Sequence, residues 1–254
     1  MLRAITRAVS PAINQCEIGF IERQEIDLAN ANQQHRRYES LLAELGAKVV
    51  SLPAEPDYPD SVFVEDPAVV LDEVAIMTRM GAASRRGESE SLAGALAEYR
   101  PLRWLREPAT LEGGDVMRIG RTLYVGVSHR TNRAGIEQLT DELVPLGYAV
   151  VPVAVRGALH LKSACCSLGD GVILANRAWF DPASFSAFRL IDVDPAEPHA
   201  ANALAFHGTV IFPASFPKTG ALIEAAGFHV TPLDISELQK AESGLTCSSL
   251  IFQT

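Results

Sequence analysis

The sequence predicts an α/β fold in which a hairpin–helix–strand unit repeats around a closed, propeller-like ring. Three observations carry this expectation. First, Leu45–Leu52, Leu146–Val153 and Ala226–Leu233 share one pattern, a glycine that stops a helix followed by a short β-branched strand. Second, turn signals at Asp72-Glu73, Gly120-Arg121, Gly169-Asp170 and His207-Gly208 interrupt apolar runs, as hairpins require. Third, these features recur about every 40 to 50 residues, a period typical of arrays built from repeated supersecondary units.

In chain order, Arg3–Ala8 reads as an opening strand. Asp27 then caps a helix whose Leu28, Ala31, His35, Tyr38, Leu42 and Leu45 lie on one face at helical spacing. The strand after Gly46 completes that unit. Weaker counterparts of the strand pattern occur at Arg100–Trp104 and Phe188–Asp192. Ser163–Leu168 reads as a core strand and Cys16 as part of a loop. Four units are internal, and pairing the first strand with a C-terminal strand, Thr246–Phe252, completes a fifth. The alternative is an open α/β sheet with accidental internal similarity. A closed ring would form a single domain over residues 1–254 and bring distant segments to a common axis.

Composition narrows the function. The chain carries 31 acids against 22 Lys and Arg, a net charge of −9, with no basic run. That balance disfavours nucleic acid and anionic membrane surfaces and suits a cationic small molecule. No apolar run reaches the roughly 18 residues of a spanning helix. The first residues, Met1–Arg7, place charge where a signal peptide needs apolar residues. Four cysteines (Cys16, Cys165, Cys166, Cys247) lack zinc-finger spacing, so a reduced, cytoplasmic protein is expected.

Four short segments carry chemistry. Cys247, in Gly244–Leu250, is a candidate nucleophile, and His160, in Ala158–Lys162, a candidate proton shuttle. Glu112, beside Gly113-Gly114-Asp115, supplies an orienting carboxylate. Pro59–Pro67 packs Asp60, Glu65 and Asp66 around apolar residues, a pattern that a buried cation would explain. Each residue also has a plain structural reading. A lone cysteine is usually packing, His160 between leucines could be a core histidine, and Glu112 could be a solvated acid next to a turn. Asp60, Glu65 and Asp66 could sit on a surface hairpin or hold calcium, but the segment lacks the glycine-containing loop that calcium favours. Their joint occurrence in one order outweighs these separate readings.

Together with Arg85-Arg86-Gly87-Glu88 and Arg130-Thr131-Asn132, these segments resemble the dimethylarginine dimethylaminohydrolases, guanidino-modifying enzymes of the pentein superfamily. The resemblance runs from end to end and implies a five-bladed α/β-propeller. It also implies Cys247 as nucleophile, His160 as general acid and base, and Glu112 as the third catalytic residue. Glu65 and Asp66 would hold the guanidinium, with Asp60 near the substrate amine and Arg85 and Arg130 on its α-carboxylate. Ile18, in a loop that would act as a lid, matches an apolar lid residue.

The chemistry fits these residue types. Charge delocalised over three nitrogens makes a guanidinium carbon a poor electrophile, so a thiolate suits better than water. A free cysteine titrates near pH 8.5, so Cys247 would need His160 or the bound cation to favour its thiolate. The expected reaction is hydrolysis of N-omega-methylated L-arginine to citrulline and an alkylamine through a covalent adduct on Cys247. No metal or organic cofactor is expected, and zinc on Cys247 and His160 would inhibit. Arginine deiminase is the alternative enzyme, against which the chain length speaks. A non-catalytic binding propeller is a remote third reading. A homodimer through outer helices is a further expectation.

Overall fold

The computed structural model describes residues 1–254 and contains five three-stranded sheets, none of which closes on itself. β1 (Leu2–Arg7) runs parallel to β2 (Lys48–Leu52), with α1 (Leu28–Glu44) between them in the chain. Asp27 caps α1 by accepting from the N–H groups of Ala29 and Asn30. The helix buries Ala31, His35, Tyr38 and Leu42 as its spacing requires, whereas Leu28 and Leu45 at its two ends are only partly covered. Gly46 then turns the chain at φ +97°, a backbone conformation that side chains disfavour.

The next sheets repeat one order of construction. β3 (Ala68–Val70) and β4 (Ala75–Met77) form a hairpin, α2 (Glu88–Leu96) follows, and β5 (Leu102–Trp104) returns parallel to β4. β6 (Val116–Ile119) and β7 (Thr122–Val127) pair through the turn at Gly120-Arg121. α3 (Arg133–Leu143) then leads to β8 (Ala149–Ala154), parallel to β7. A single turn of helix, α4 (Leu161–Ala164), precedes the hairpin of β9 (Cys165–Gly169) and β10 (Val172–Ala175), on which β11 (Arg189–Asp192) lies parallel. β12 (Leu204–Phe206), β13 (Thr209–Pro213), α5 (Pro217–Ala225) and β14 (Val230–Leu233) make the last internal unit. β15 (Leu250–Gln253) pairs antiparallel with β1, giving the first sheet the same hairpin-plus-parallel pattern from opposite chain ends.

Three expectations change. Between β10 and β11 the chain makes only a 3-10 turn, Pro182–Phe185, where the repeat called for a helix. The C-terminal strand begins at Leu250, because Thr246–Ser248 forms a 3-10 turn that carries Cys247 out of the sheet. Pro59–Asp66, readable as a surface hairpin, folds as successive turns with its three acids buried. Buried carboxylates explain this last departure, since donors from several directions must reach them and a ladder strand occupies its own backbone donors elsewhere. Cys16 lies in a loop as expected but is buried among Val9, Ile13 and Ile26.

Apolar side chains fill the spaces between neighbouring sheets and their helices. Ile76 of β4, Val116 and Leu123 of the β6–β7 hairpin, and Ile136 and Leu139 of α3 form one such layer. Each fully buried side chain of this size contributes about 1.5–3 kcal/mol. No helix is long and apolar enough to cross a membrane.

Candidate active site

Asp60, Asp66, Arg85, Glu112, Arg130, His160 and Cys247 line one small cavity, although they span most of the chain. Each is delivered by a strand end or a tight turn. Glu112 stands immediately before the 3-10 turn Gly113–Asp115 and is wholly buried. Its N–H donates to Thr131 Oγ1 at 3.2 Å, which ties it to the loop after β7. His160 occupies the position before α4, and the next N–H, from Leu161, donates to Asp115 Oδ1 at 2.9 Å. Ser128 Oγ donates to the other Asp115 oxygen at 2.6 Å. Asp115 is therefore the peg on which the histidine segment hangs.

His160 Nε2 and Glu112 Oε2 are 2.7 Å apart. Glu112 Oε1 accepts from the backbone N–H groups of Gly81 (3.0 Å) and Ala82 (3.2 Å) and from Arg130 Nη1 (3.4 Å). The remaining imidazole nitrogen, Nδ1, lies 4.0 Å from Asp66 Oδ1. Asp66 in turn accepts from the Gly114 N–H at 3.0 Å and from Arg85 Nη1 at 2.8 Å. A Cβ on Gly114 would sit 2.5 Å from His160 Nδ1 and 2.8 Å from Asp66 Oδ1, so only glycine fits between the two groups.

Charge is concentrated here. Burial by itself would push the His160 pKa down, but Asp66, Glu112 and Asp115 outweigh it and lift the imidazole to about 9. Against its own burial, Glu112 is held below the usual carboxylate range, chiefly by the hydrogen bond from His160. The pair therefore stands as imidazolium and carboxylate at neutral pH. Burial, followed by the charges of Glu65 and Asp66, pushes the Cys247 thiol up to about 12, although the Gly244 N–H and Lys162 oppose the rise. The sulfur accepts from that N–H at 3.4 Å. Without a bound cation, this environment favours the neutral thiol of Cys247 over its thiolate.

Comparison with known proteins now bears on this arrangement. Residues 5–177 match the profile of a family described as N,N dimethylarginine dimethylhydrolase, eukaryotic. A dimethylarginine dimethylaminohydrolase of Streptomyces coelicolor is 38% identical over 250 residues, covering 98% of this chain and 96% of that protein. The chain belongs to the dimethylarginine dimethylaminohydrolase family. The Pseudomonas aeruginosa dimethylarginine dimethylaminohydrolase is 36% identical over 228 residues, covering 89% of this chain and 90% of its own. A solved structure of the P. aeruginosa enzyme, a Cys-to-Ser variant complexed with citrulline, superposes with a TM-score of 0.94 at 32% identity, over 99% of this chain and 100% of that one. The N-terminal domain of ArgZ, a cyanobacterial arginine dihydrolase, shares the fold (TM-score 0.83, 21% identity, 99% and 98% covered).

Within this dimethylarginine dimethylaminohydrolase fold, seven of the expected site residues meet at the cavity and two do not line it. Glu65 turns its carboxylate to Lys162 Nζ and to Thr246 Oγ1 (2.9 Å), while its N–H donates to Cys247 O at 3.1 Å. Ile18 packs with Cys247 against the apolar cluster around Val62 and Phe63. Arg85 is largely engaged, with Nε and Nη2 on the two Glu88 oxygens (3.0 and 2.9 Å) and Nη1 on Asp66, which leaves a single Nη1 hydrogen. Asp60 accepts from the Glu17 N–H (3.1 Å), and burial raises it, with Arg85 and that N–H opposing. Asp66, Glu112 and His160 bring ligand atoms within 4.8 Å of one another, but Glu112 is committed to His160 and Asp66 to Arg85. The zinc pair considered from sequence, Cys247 with His160, is not that grouping.

Sequence reasoning missed Glu17 and Glu242, both of which line the cavity, and did not separate Asp115 from its motif. Asp115 had a signal in the Gly-Gly-Asp turn ahead of a strand. Glu242 had none, being an acid in a polar stretch, and Glu17 lies in the loop read as a lid without a signal of its own.

Proposed function

We propose that this protein hydrolyses N-omega-methylated L-arginine to L-citrulline and dimethylamine or methylamine. The observation that carries this is the His160–Glu112 pair facing the same cavity as Cys247 and Asp66, in a chain 36–38% identical to proteins named for that reaction. In this reading Asp66 and Glu112 receive guanidinium N–H groups in charge-assisted hydrogen bonds, which fixes the guanidinium carbon over Cys247 Sγ. Asp60 and the lid backbone take the α-ammonium. Arg130 and the remaining Nη1 hydrogen of Arg85 take the α-carboxylate.

The arriving cation offsets the carboxylate field that holds Cys247 neutral, so the thiol releases its proton to solvent and thiolate forms where it is needed. Sγ bonds to the guanidinium carbon, and His160 delivers its proton to the departing amine as the C–N bond breaks. An S-alkylthiouronium remains on Cys247. Neutral His160 then takes one proton from water, whose oxygen bonds to the same carbon. The C–S bond breaks as the added hydroxyl gives its remaining proton to the departing sulfur, which returns the neutral thiol and citrulline. The imidazolium of the free enzyme thus starts the cycle in its acid form. Neither step requires a cofactor.

Architecture and setting belong to the same reading. Five like sheets, with the β1–β15 pair joining the two chain ends, support a single-domain five-bladed α/β-propeller. Four free thiols suit a reducing cytoplasm. A homodimer through outer helices is part of the same reading, and Leu222 on α5 is exposed on one of them. Citrulline release from asymmetric dimethylarginine, monomethylarginine and arginine in parallel, with Cys247→Ser as control, tests the function. Turnover of the methylated substrates that vanishes in the variant is expected. Preference for arginine would move the protein to the deiminase reading, and no citrulline from any of them would refute the proposal.

A further inference from the structure

Glu242 is one of three residues other than glycine with positive φ, at +58°. A side chain longer than Asn is disfavoured in that left-handed region, so its presence there needs a compensating contact. The contact is with the loop that starts at Asn14. One carboxylate oxygen, Glu242 Oε1, accepts the backbone N–H groups of three successive residues: Gly19 (3.0 Å), Phe20 and Ile21 (2.8 Å). Successive N–H groups converging on one point make an anion-binding concavity, and here a residue of the same chain fills it. The other oxygen, Oε2, is buried and has no partner. Glu242 also lines both the catalytic cavity and the groove beside it, which Phe20 and Ile21 help to wall.

The two ends of the loop are held separately. Asn14 and Ile26 exchange hydrogen bonds at its base (3.0 and 2.8 Å). Glu17 is tied through its N–H to Asp60 and through its side chain to Ser84. Residues Gly19–Ile21 have only Glu242 and the packing of Phe20 on His129, whose rings are 5.3 Å apart. We propose that Glu242 is a positioning residue that latches the centre of this loop at the edge of the catalytic cavity and thereby sets how tightly substrate is held. It acts through Gly19–Ile21 and takes no part in bond making. The substrate half of this inference rests on the proposed function, whereas the latch itself does not.

Two variants test it. Glu242→Asn keeps a residue that tolerates left-handed backbone but is too short to reach the loop. Glu242→Gln keeps an acceptor oxygen and removes the charge. Amide hydrogen exchange on the unliganded protein reads the latch directly. Exchange at Gly19, Phe20 and Ile21 should accelerate at least tenfold in Glu242→Asn and less in Glu242→Gln, with the sheet amides unchanged as the check on folding. Equal exchange at these three amides in all forms overturns the proposal, whatever the protein's substrate. In the citrulline assay, KM for the methylated substrate should rise roughly tenfold to a hundredfold in Glu242→Asn, the loss of one or two charge-assisted hydrogen bonds. The rise should exceed any fall in kcat, and Glu242→Gln should recover part of it. A fall in kcat alone, with KM unmoved, overturns the positioning role even if the amides respond.

Discussion

Glu112 Oε2 and His160 Nε2 lie 2.7 Å apart with both side chains buried, so each fixes the charge state of the other. Neither could keep its charge alone in this environment. Burial works against both ionised forms, and mutual hydrogen bonding together with Asp66 and Asp115 reverses the outcome.

A pH dependence of stability follows. His160 is raised in the folded state to about 9 from its usual 6.5. A raised histidine contributes stability that is complete below its unfolded value and lost as pH rises through its folded one. Unfolding free energy should therefore decline between about pH 6.5 and 9.5, by roughly 2–3 kcal/mol at most. Glu112→Gln should flatten that decline without abolishing it, because Asp66 and Asp115 remain. Urea unfolding at pH 6.5, 8 and 9.5 measures it, and parallel curves for the two proteins would sink the argument.

Two adjacent glycines should separate fold from function. A Cβ on Gly113 would meet the Glu65 carbonyl oxygen at 2.0 Å, a backbone atom that cannot move aside. On Gly114 its nearest neighbours would be the His160 ring and the Asp66 carboxylate, which are side-chain atoms. Gly113→Ala should destabilise the whole domain by roughly 2–4 kcal/mol, as overpacking against backbone does. Gly114→Ala should cost less stability but more than a hundredfold in kcat/KM, since an ångström of displacement at reacting groups has that effect. Thermal unfolding and initial rates on both variants decide, and the reverse order of effects would contradict the geometry.

How much of this was legible in the sequence depended on the range of the interactions. Gly46, Gly147 and Gly227 marked helix ends because a left-handed residue after a helix is a local requirement, and all three have positive φ. The Asp27 cap and the hairpin turns are local in the same sense. Thr246–Ser248 reads as strand because β-branched Thr246 and then Cys247 lead towards the apolar Leu250–Phe252, while the turn is held by a contact far away in the chain. Asn202 Oδ1 accepts the Thr246 N–H at 3.1 Å. Arg85 was placed at the site by its motif, yet its pairing with Glu88, Asp66 and the carbonyls of Asp60 and Phe63 follows from how Pro59–Asp66 folds over it. Glu242 had no sequence signature, because its partners are backbone N–H groups that any residue carries.

The Lys162–Glu65 pair should behave as a buried ion pair. Its members are about a tenth exposed, and Thr246 Oγ1 completes the coordination of Glu65. Removing one partner strands the other charge, so Lys162→Met should cost about 3–5 kcal/mol. Adding Glu65→Gln removes the stranded charge and should restore most of that loss. A double-mutant cycle by chemical unfolding gives the coupling, and additive costs would mean that solvent reaches the pair.

The same pair bears on the nucleophile. Burial and then Glu65 are the leading causes that keep the Cys247 thiol neutral, and Lys162 partly opposes them. Cys16 is pushed up to about 11 and Cys166 to about 12, also chiefly by burial, so no thiol here titrates in the neutral range. The ultraviolet thiolate absorbance of the wild-type protein, less that of Cys247→Ser, should show no step up to about pH 10. Replacing Glu65 by Gln in the Lys162→Met background removes both flanking charges, and because Glu65 outweighs Lys162 the step should move to lower pH. Guanidinium ion at sub-denaturing concentration should move it the same way, by placing positive charge beside Asp66 and Glu112. A step below pH 8 in the free wild-type protein would mean the thiolate is preformed. Its activation would then belong to His160 alone, and the arriving cation would serve only to position the carbon.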